Sequence, residues 1–206
     1  AQYKHDLMKK NPNVLLVDAG DAIQGEPLGS LTEGAAIIRI MNSVGYDFAI
    51  PGNHEYDFGM TRFLELAPQQ KCGYYSCNFL DKRTGNPLLP SYKIFTLDGK
   101  KIAFVGVTTP ETLISSTPVF FQNDEGKFIY TFCEDKDGTN LYAHIQAAVD
   151  EARAEGAQFV ILVGHLGTNG AISAWSSGAV ASHTTGINAI IDGHSHEQYS
   201  RVDKNK

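Results

Sequence analysis

The sequence predicts an α/β fold in which mixed β-sheets are flanked by helices, and three observations support that prediction. Short apolar runs alternate along the chain with stretches of helical hydrophobic spacing, which is typical of an α/β layer architecture. Several of the apolar runs stop at an Asp, Asn or His residue. An Asp98-Gly99 dipeptide between two alternating segments indicates a hairpin, so antiparallel strands are expected beside parallel ones.

The elements are predicted in the following order. Strands are expected at residues 14–17, 48–50, 74–79, 92–97, 101–107, 159–163 and 187–191. Helices are expected at residues 1–8, from residue 35 to a stop at residue 45, at residues 60–66 and at residues 141–155. Residues 111–138 are predicted to form an irregular surface excursion, and residues 168–186 a loop with one helical turn at most.

Composition and charge limit the classes of function. The chain has 206 residues, 42% hydrophobic and 19% charged, which suits a globular core of about one domain. A formal charge of −6 argues against a nucleic-acid polymer as partner, but it allows a phosphorylated substrate where divalent cations reverse the local field. No apolar stretch approaches the ~20 residues that cross a bilayer, so no transmembrane segment is predicted. Cys72, Cys77 and Cys133 lack the spacing of a disulfide framework or common zinc motif, which predicts buried thiols.

The first candidate site residue is Asp21, which follows Gly20 just after the predicted strand 14–17. A carboxylate at a strand end can offer one oxygen to each of two cations, as in two-metal sites with ions ~3.5–4 Å apart. Taken alone, a turn or helix-cap aspartate is the commoner explanation.

The second candidate is the stretch Gly52-Asn53-His54-Glu55-Tyr56-Asp57, which follows the predicted strand 48–50. Asn53 can offer its side-chain carbonyl oxygen to a metal. His54 and Asp57 are three residues apart, so in a helical turn they face the same way, and the carboxylate can fix the imidazole tautomer. The pair suits a general acid or a transition-state stabiliser; the alternative is a loop with a capping Asn and a solvated His.

Histidines supply the remaining candidates. His165 follows a glycine at the end of the predicted strand 159–163, a position that is by itself more often structural. His194 and His196 follow the last predicted strand and are two residues apart, so their side chains point to the same side. Each could reach one of two neighbouring metals, because imidazole is a common ligand of borderline metals. Together the four junctions indicate a metal-dependent hydrolytic site.

In combination these motifs resemble the calcineurin-like metallophosphoesterases and, among them, the 5′-nucleotidase family. The matching stretches, in the family's order and along essentially the whole chain, are Gly20-Asp21-Ala22-Ile23-Gln24-Gly25, Gly52-Asn53-His54-Glu55-Tyr56-Asp57, Gly164-His165 and Gly193-His194-Ser195-His196. The resemblance implies a sandwich of mixed β-sheets flanked by helices and a site with two divalent metals.

The resemblance also implies a role for each candidate. Asp21 would bridge the two metals, and His196 would bind the first. The second metal would take three further ligands, namely Asn53, His165 and His194. His54 and Asp57 would be the catalytic pair, and a metal-activated water would attack phosphorus in line.

Two features of the family are absent. No Asp-x-His motif, which would supply two more ligands to the first metal, precedes Asp21, and the family's carboxyl-terminal substrate-binding domain is not represented. Residues 1–206 are therefore expected to be a partial catalytic domain without its first strand. The first metal would keep only Asp21 and His196, which predicts one modestly bound metal and little or no nucleotidase activity in this chain alone. Unpaired strand groups predict self-association or pairing with the missing amino-terminal segment.

The predicted function of the intact form is hydrolysis of 5′-nucleotide monoesters. One alternative is a 2′,3′-cyclic nucleotide phosphodiesterase or nucleotide-sugar hydrolase, although Asp57 favours the mononucleotidase because cyclic-nucleotide relatives commonly have Asn there. The other is a catalytically incompetent fragment or scaffold that binds one metal or a partner chain. Carboxylate, amide and imidazole ligands fit Zn, Mn, Fe, Co or Ni. The resemblance implies an extracellular, cell-surface or periplasmic location.

Overall fold

The computed structural model describes residues 1–202, and its elements alternate between strand and helix along most of the chain. The strands are β1 Val17–Asp18, β2 Phe48–Ala49, β3 Leu80–Asp81, β4 Tyr92–Leu97, β5 Lys100–Thr108, β6 Tyr130–Thr131, β7 Phe159–His165 and β8 Ala189–Asp192. The α-helices are α1 Gln2–Met8, α2 Pro27–Leu31, α3 Ala35–Val44, α4 Met60–Leu66, α5 Thr112–Ser115, α6 Thr139–Ala154 and α7 Ser177–His183. Single 3-10 turns lie at His54–Tyr56, Ala67–Gln69, Pro118–Phe121 and Ser173–Trp175.

The largest sheet is mixed, as predicted, with strand order β4-β5-β7-β8. β4 and β5 form the antiparallel hairpin, whose turn residues Asp98 and Gly99 both have positive φ, as the favoured two-residue hairpin turn requires. β5, β7 and β8 are parallel, and their registers align Thr108 with His165 and Gly164 with Asp192. The carboxyl ends of these three strands therefore meet at one edge of the sheet.

A second, parallel sheet of β1 and β2 stacks on the large one. Phe48 and Ile50 pack in one apolar cluster with Phe104 and Val163, so this cluster fills the space between the two sheets. Ala49, whose side chain points the other way, joins the cluster beneath α3 and α4. On the far side, α6 buries an apolar stripe against the large sheet. The result is a helix–sheet–sheet–helix sandwich, which confirms the predicted fold class.

The prediction of a strand at residues 74–79 is wrong. The backbone N–H groups there bond to different neighbours in turn: Tyr75 donates to Ala49 at 3.0 Å, Ser76 to Pro90 at 2.9 Å and Cys77 to Gly106 at 2.9 Å. The segment thus crosses from one sheet to the other instead of lying along one ladder. At Gly106 the two backbones approach so closely that a Cβ would collide with the Tyr75 carbonyl.

Residues 111–138 are irregular for most of their length, but they are not a surface excursion. Phe121 and Phe132 are fully buried, and both contact the Tyr56 ring edge-on with centroids 5.5 and 5.4 Å away. Phe63 and Phe79 complete this aromatic cluster around Tyr56. Burying that much aromatic surface outweighs the polar composition of the segment, and it fixes the turn that carries His54.

The remaining differences between prediction and structure concern where the elements begin and end. Of the predicted strand 14–17 only the last residue pairs in β1, because β2 opposite it is just two residues long and the Leu16 N–H bonds instead to the Asp47 side chain at 2.7 Å. The segment 168–186 contains a full helix, α7, whose N-cap Ser176 accepts a hydrogen bond from the Ala179 N–H. The last strand runs from Ala189 rather than Ile187. The predicted first helix is present as α1 and is anchored by Lys4, which lies 2.6 Å from Asp47.

Candidate metal centre

Three strand ends bring together a carboxylate and two imidazoles. Asp21 lies three residues past β1, His165 is the last residue of β7, and His194 lies two residues past β8. One ligand atom from each of these residues lies within 4.8 Å of the other two. Over residues 1–202 this is the one group of three acidic, His or Cys residues so arranged. The strand ends predicted from the sequence therefore do converge.

His165 is held so that one ring nitrogen points at Asp21. Its Nδ1 donates to the Ala19 carbonyl at 2.6 Å, which leaves Nε2 as the nitrogen facing the cluster. Nε2 lies 2.9 Å from Asp21 Oδ2, yet it has no hydrogen bond of acceptable geometry within the described part of the chain. Burial works to lower the pKa of His165, but Asp21 raises it above its usual value, and the same contact helps to lower the pKa of Asp21. His165 Nε2 and Asp21 Oδ2 thus lie close together without a hydrogen bond of good geometry, an arrangement that a cation bound to both atoms would explain.

Asn53 is 3% exposed, and its carbonyl oxygen Oδ1 finds no hydrogen-bond partner among the described residues. Leaving a buried acceptor unpaired costs about 1–3 kcal/mol, so this atom calls for a ligand that the protein itself does not supply. Its neighbour Gly52 lets the Asp21 loop approach closely, since a Cβ there would collide with Asp21 Oδ1 and lie 2.8 Å from Asp21 N.

The two histidines after β8 differ in their surroundings. The His194 ring lies 4.9 Å from that of His165, centroid to centroid, and its Nε2 lies 3.4 Å from Glu111 Oε2. His196 is exposed and lies outside the three-residue cluster. Both residues have positive φ, at 80° and 54°, so the backbone is folded tightly where it leaves the sheet.

Glu55 was not predicted to have a role, but in the structure its carboxylate supports the backbone of the site. Its side chain is 1% exposed and accepts four backbone hydrogen bonds. Oε2 accepts from Gly52 N at 2.6 Å and from Asp21 N at 2.7 Å, and Oε1 accepts from Ala22 N at 2.7 Å and Ile23 N at 3.2 Å. One carboxylate thus ties the Asp21 loop to the Asn53 loop. Its position in the loop motif, between His54 and Asp57, was the one feature of the sequence that could have indicated a role for it.

His54 and Asp57 form the pair that their spacing predicted. His54 Nδ1 lies 2.6 Å from Asp57 Oδ2, and the His54 N–H donates to Asp21 Oδ1 at 2.8 Å, so the pair is connected directly to the cluster. The imidazole is 42% exposed, which leaves Nε2 accessible. Partial burial works to lower the pKa of His54, but the Asp57 and Asp21 carboxylates raise it above its usual value.

Two further aspartates near the site were not singled out. Asp192 Oδ1 accepts from Leu166 N and Gly193 N at 2.9 and 3.0 Å and so shapes the turn that leads to His194. Burial, with a contribution from Glu55, raises the pKa of Asp18 to about 7. Both lie at the final position of a strand, a signal that the sequence did contain.

The donors match a divalent metal. A carboxylate, a side-chain carbonyl and two imidazoles are the ligand types that Zn, Mn, Fe, Co and Ni accept. The unpartnered Asn53 Oδ1 and His165 Nε2 are buried, as atoms reserved for a ligand are expected to be. The ligand types and the buried, unpartnered atoms of the site therefore fit a divalent metal.

Stacked β-sheets with Asp, Asn and His side chains at their carboxyl strand ends are the arrangement typical of metal-dependent hydrolases of the α/β class. Residues 2–198 match the sequence profile of the family described as calcineurin-like phosphoesterase. The chain belongs to that family, and the resemblance stated from the motifs is confirmed.

Several relatives span nearly all of the chain. It is 28% identical to the endonuclease YhcR of Bacillus subtilis over 96% of its length, covering 16% of that protein. It is 32% identical to the NAD 5′-nucleotidase of Haemophilus influenzae, with 94% of the chain and 29% of the relative covered. It is 28% identical to the 5′-nucleotidase of Rattus norvegicus, with 91% of the chain and 30% of the relative covered. The chain thus spans less than a third of the length of these relatives.

The fold is also similar to that of solved structures. The sulfate thiohydrolase SoxB of Thermus thermophilus superposes with a TM-score of 0.78 at 27% identity, over 97% of this chain and 34% of that one. In the part of the chain that the structure describes, no helix combines the length and the apolar character that a membrane crossing requires.

Proposed function

We propose that this chain carries one metal-binding half of a two-metal phosphomonoesterase site whose intact form hydrolyses 5′-nucleotides. The observation that carries the proposal is the convergence of Asp21, His165 and His194 within 4.8 Å. The buried, unpartnered carbonyl oxygen of Asn53 supports it, because the residues on either side of Asn53 both approach Asp21. Asp21, Asn53, His165 and His194 are the four ligands that the resemblance implies for the second metal. The names of the NAD 5′-nucleotidase and 5′-nucleotidase relatives support a nucleotide as the substrate.

The metal would be Zn, Mn, Fe, Co or Ni, held by these four side chains. When bound, it supplies Lewis-acid chemistry, polarising a phosphoryl oxygen and making water more acidic. The first metal would have only Asp21 and His196 from the described residues, and two protein ligands seldom hold a metal firmly. We therefore propose a single occupied metal site when this chain is isolated, with the second ion present only in the intact enzyme.

His54 and Asp57 would act on the substrate. Asp57 engages His54 Nδ1 at 2.6 Å, so the accessible Nε2 is the nitrogen that can donate to a phosphoryl oxygen. The raised pKa of His54 favours the protonated ring, which stabilises the negative charge that builds up on phosphorus oxygens in the transition state. The hydrogen bond from His54 N to Asp21 Oδ1 fixes the distance between this donor and the metal ligands.

We further propose that residues 1–206 are part of a larger catalytic unit. Residues 14–17 are only half-buried, whereas Phe48 and Ala49 beside them are fully buried. Such an edge suits pairing with a further strand, from this protein or from a second copy. Substrate contacts on a separate domain are consistent with the small share of each relative that the chain covers. An extracellular, cell-surface or periplasmic location is part of the same proposal.

A phosphodiester is the second candidate substrate, favoured by the name of the endonuclease relative. A cyclic nucleotide would fit that class of bond, whereas a nucleotide sugar would be cleaved at its phosphoanhydride bond. A nucleic-acid polymer remains disfavoured by the charge of −6. An inactive, metal-binding scaffold is the remaining alternative for the chain alone.

Metal content and hydrolysis, measured in one sample, test the proposal. After dialysis against trace Zn and Mn, the chain should hold close to one metal, and a His194→Ala variant should lose it. A His5→Ala variant is the matched control, because His5 is exposed on α1. An aryl phosphate, its aryl diester and AMP are then compared as substrates. We expect little turnover, with any residual monoester hydrolysis abolished by His54→Ala while the metal is retained.

Each other outcome has a defined meaning. Failure of the wild type to bind metal would reject the site itself. Two firmly bound metals with rapid turnover would reject the one-metal proposal. Faster hydrolysis of the diester than of the monoester would favour the second candidate substrate.

A further inference from the structure

The short helix α5 contacts both halves of the candidate site. Its N-cap residue is Glu111, and its C-cap residue is Ser116. Glu111 Oε2 lies 3.4 Å from His194 Nε2, and the Ser116 hydroxyl donates to Asp57 Oδ1 at 3.3 Å. The helix therefore contacts one proposed metal ligand at its start and one member of the proposed catalytic pair at its end.

α5 is held rigidly on the end of β5. Thr109 follows β5 and is fully buried, and its side-chain hydroxyl accepts from the Glu111 N–H at 3.2 Å. The Thr112 hydroxyl donates to the Thr109 carbonyl at 2.7 Å, and Thr112 is also fully buried. Glu111 gains a further anchor, because its Oε1 accepts from the Ala171 N–H at 3.3 Å. A carboxylate fixed in this way can orient an imidazole, which a mobile surface carboxylate cannot.

We propose that α5 is a positioning element, in which Glu111 orients His194 and Ser116 orients Asp57. By accepting the Nε2–H of His194, Glu111 selects the tautomer whose Nδ1 is free to bind a metal. Carboxylates that hold a ligating histidine in this way tune metal affinity, typically by 10–100-fold. Ser116 occupies the Asp57 oxygen that His54 does not use, so both oxygens of that carboxylate have a fixed partner.

The Glu111 half of the inference rests on the proposed metal site, yet one of its readouts needs no metal. In the metal-free protein, ¹H–¹⁵N NMR of the imidazole rings reports the tautomer of His194 directly. We expect the Nε2–H form in the wild type and in Glu111→Gln, which keeps an acceptor oxygen, and a mixed population in Glu111→Ala. Glu125→Ala is the charge-matched control, since Glu125 is exposed and pairs with Lys127.

Metal titration is the second readout for Glu111. Glu111→Ala should weaken Mn or Zn binding by about 10–100-fold, with partial rescue in Glu111→Gln and no change in Glu125→Ala. Unchanged tautomer and unchanged affinity in Glu111→Ala would overturn the role of Glu111. A tautomer that responds to the substitution in a protein that binds no metal would support Glu111 while rejecting the proposed function.

Ser116 has its own test. Ser116→Ala should leave metal affinity within about twofold of the wild type but accelerate solvent exchange of the His54 Nδ1 proton, as the Asp57 carboxylate loses a fixed partner. Ser116→Thr, which keeps the hydroxyl, should restore slow exchange. Ser115→Ala is the matched control, because that hydroxyl bonds to the helix backbone at Glu111. Equal proton exchange in Ser116→Ala and Ser115→Ala would overturn the role of Ser116.

Discussion

Replacing Glu55 with Gln should destabilise the protein by about 2–4 kcal/mol, although the change removes only a charge and keeps the shape. The Glu55 carboxylate accepts four backbone N–H groups, two on each oxygen, at 2.6 to 3.2 Å. A Gln side chain can accept on its carbonyl oxygen alone, and its NH₂ group would face the other two N–H donors. Either orientation leaves two buried donors unpaired.

The magnitude follows from those two donors. Each buried, unpaired polar group costs about 1–3 kcal/mol, which gives about 2–6 kcal/mol in total. Removing a buried carboxylate recovers part of this, because burial and the nearby Asp21 carboxylate raise the pKa of Glu55 and so make its charged form costly. The balance is a loss of about 2–4 kcal/mol.

Urea unfolding in the presence of EDTA, followed by circular dichroism, measures this loss without a contribution from bound metal. With a typical denaturant slope of about 2 kcal/mol per M, the midpoint should fall by about 1–2 M. Glu65→Gln is the control, since Glu65 is exposed on α4 and pairs with Arg62, so its change should stay within about 0.5 kcal/mol. A Glu55→Gln midpoint equal to that of Glu65→Gln would refute the reasoning.

Three further predictions follow from single contacts. Gly52→Ala should displace Asp21, because the new Cβ meets Asp21 Oδ1, costing about 1–3 kcal/mol and weakening metal binding at least tenfold. Gly178→Ala, in α7 with nothing near its Cβ, should instead stabilise the protein by about 0.5–1 kcal/mol. In metal-free protein the contribution of Asp18 to the free energy of unfolding should fall by about 2–4 kcal/mol as pH rises from 3.8 to about 7, so Asp18→Asn should gain that much stability relative to the wild type over this range.

The sign of the pH effect follows from proton counts. Burial raises the folded-state pKa of Asp18 to about 7, so between 3.8 and about 7 the folded state keeps a proton that the unfolded state has lost. The contribution of Asp18 to the stability of the folded state is therefore greatest below pH 3.8. A pH profile identical in the wild type and Asp18→Asn would contradict the assignment of the pH effect to Asp18. Equal urea midpoints for Gly52→Ala and Gly178→Ala would contradict the two glycine predictions.

The motifs at strand ends were the strongest predictors in the sequence. Parallel strands place their carboxyl ends at one edge of a sheet, so Asp21, His165 and His194 could be expected to meet before any coordinates were known. The His54–Asp57 pair was equally local, because three-residue spacing in a helical turn sets its geometry. The predictions of the helix α6 and of the Asp98-Gly99 hairpin are correct because they too depend on local sequence patterns.

Predictions failed where long-range contacts override local pattern. Residues 74–79 alternate like a strand, but their N–H groups bond across two sheets, and only the placement of those sheets decides this. The polar segment 111–138 contains Phe121 and Phe132, which are buried because they pack against the ring of Tyr56, a residue of a distant loop. Glu55 belongs to a motif in the sequence, but three of the four N–H groups that its side chain accepts come from the distant Asp21 loop.

The sequence by itself determined the class of fold, the family and the ligand types, because hydrophobic period, turn residues and motif spacing are local properties of the chain. Only the tertiary structure decided how those ligands are supported: Glu55 beneath the Asp21 loop, and Glu111 and Ser116 on α5 against His194 and Asp57. These contacts join residues that lie far apart in the chain, and no spacing rule fixes which side chains meet once sheets and helices have packed.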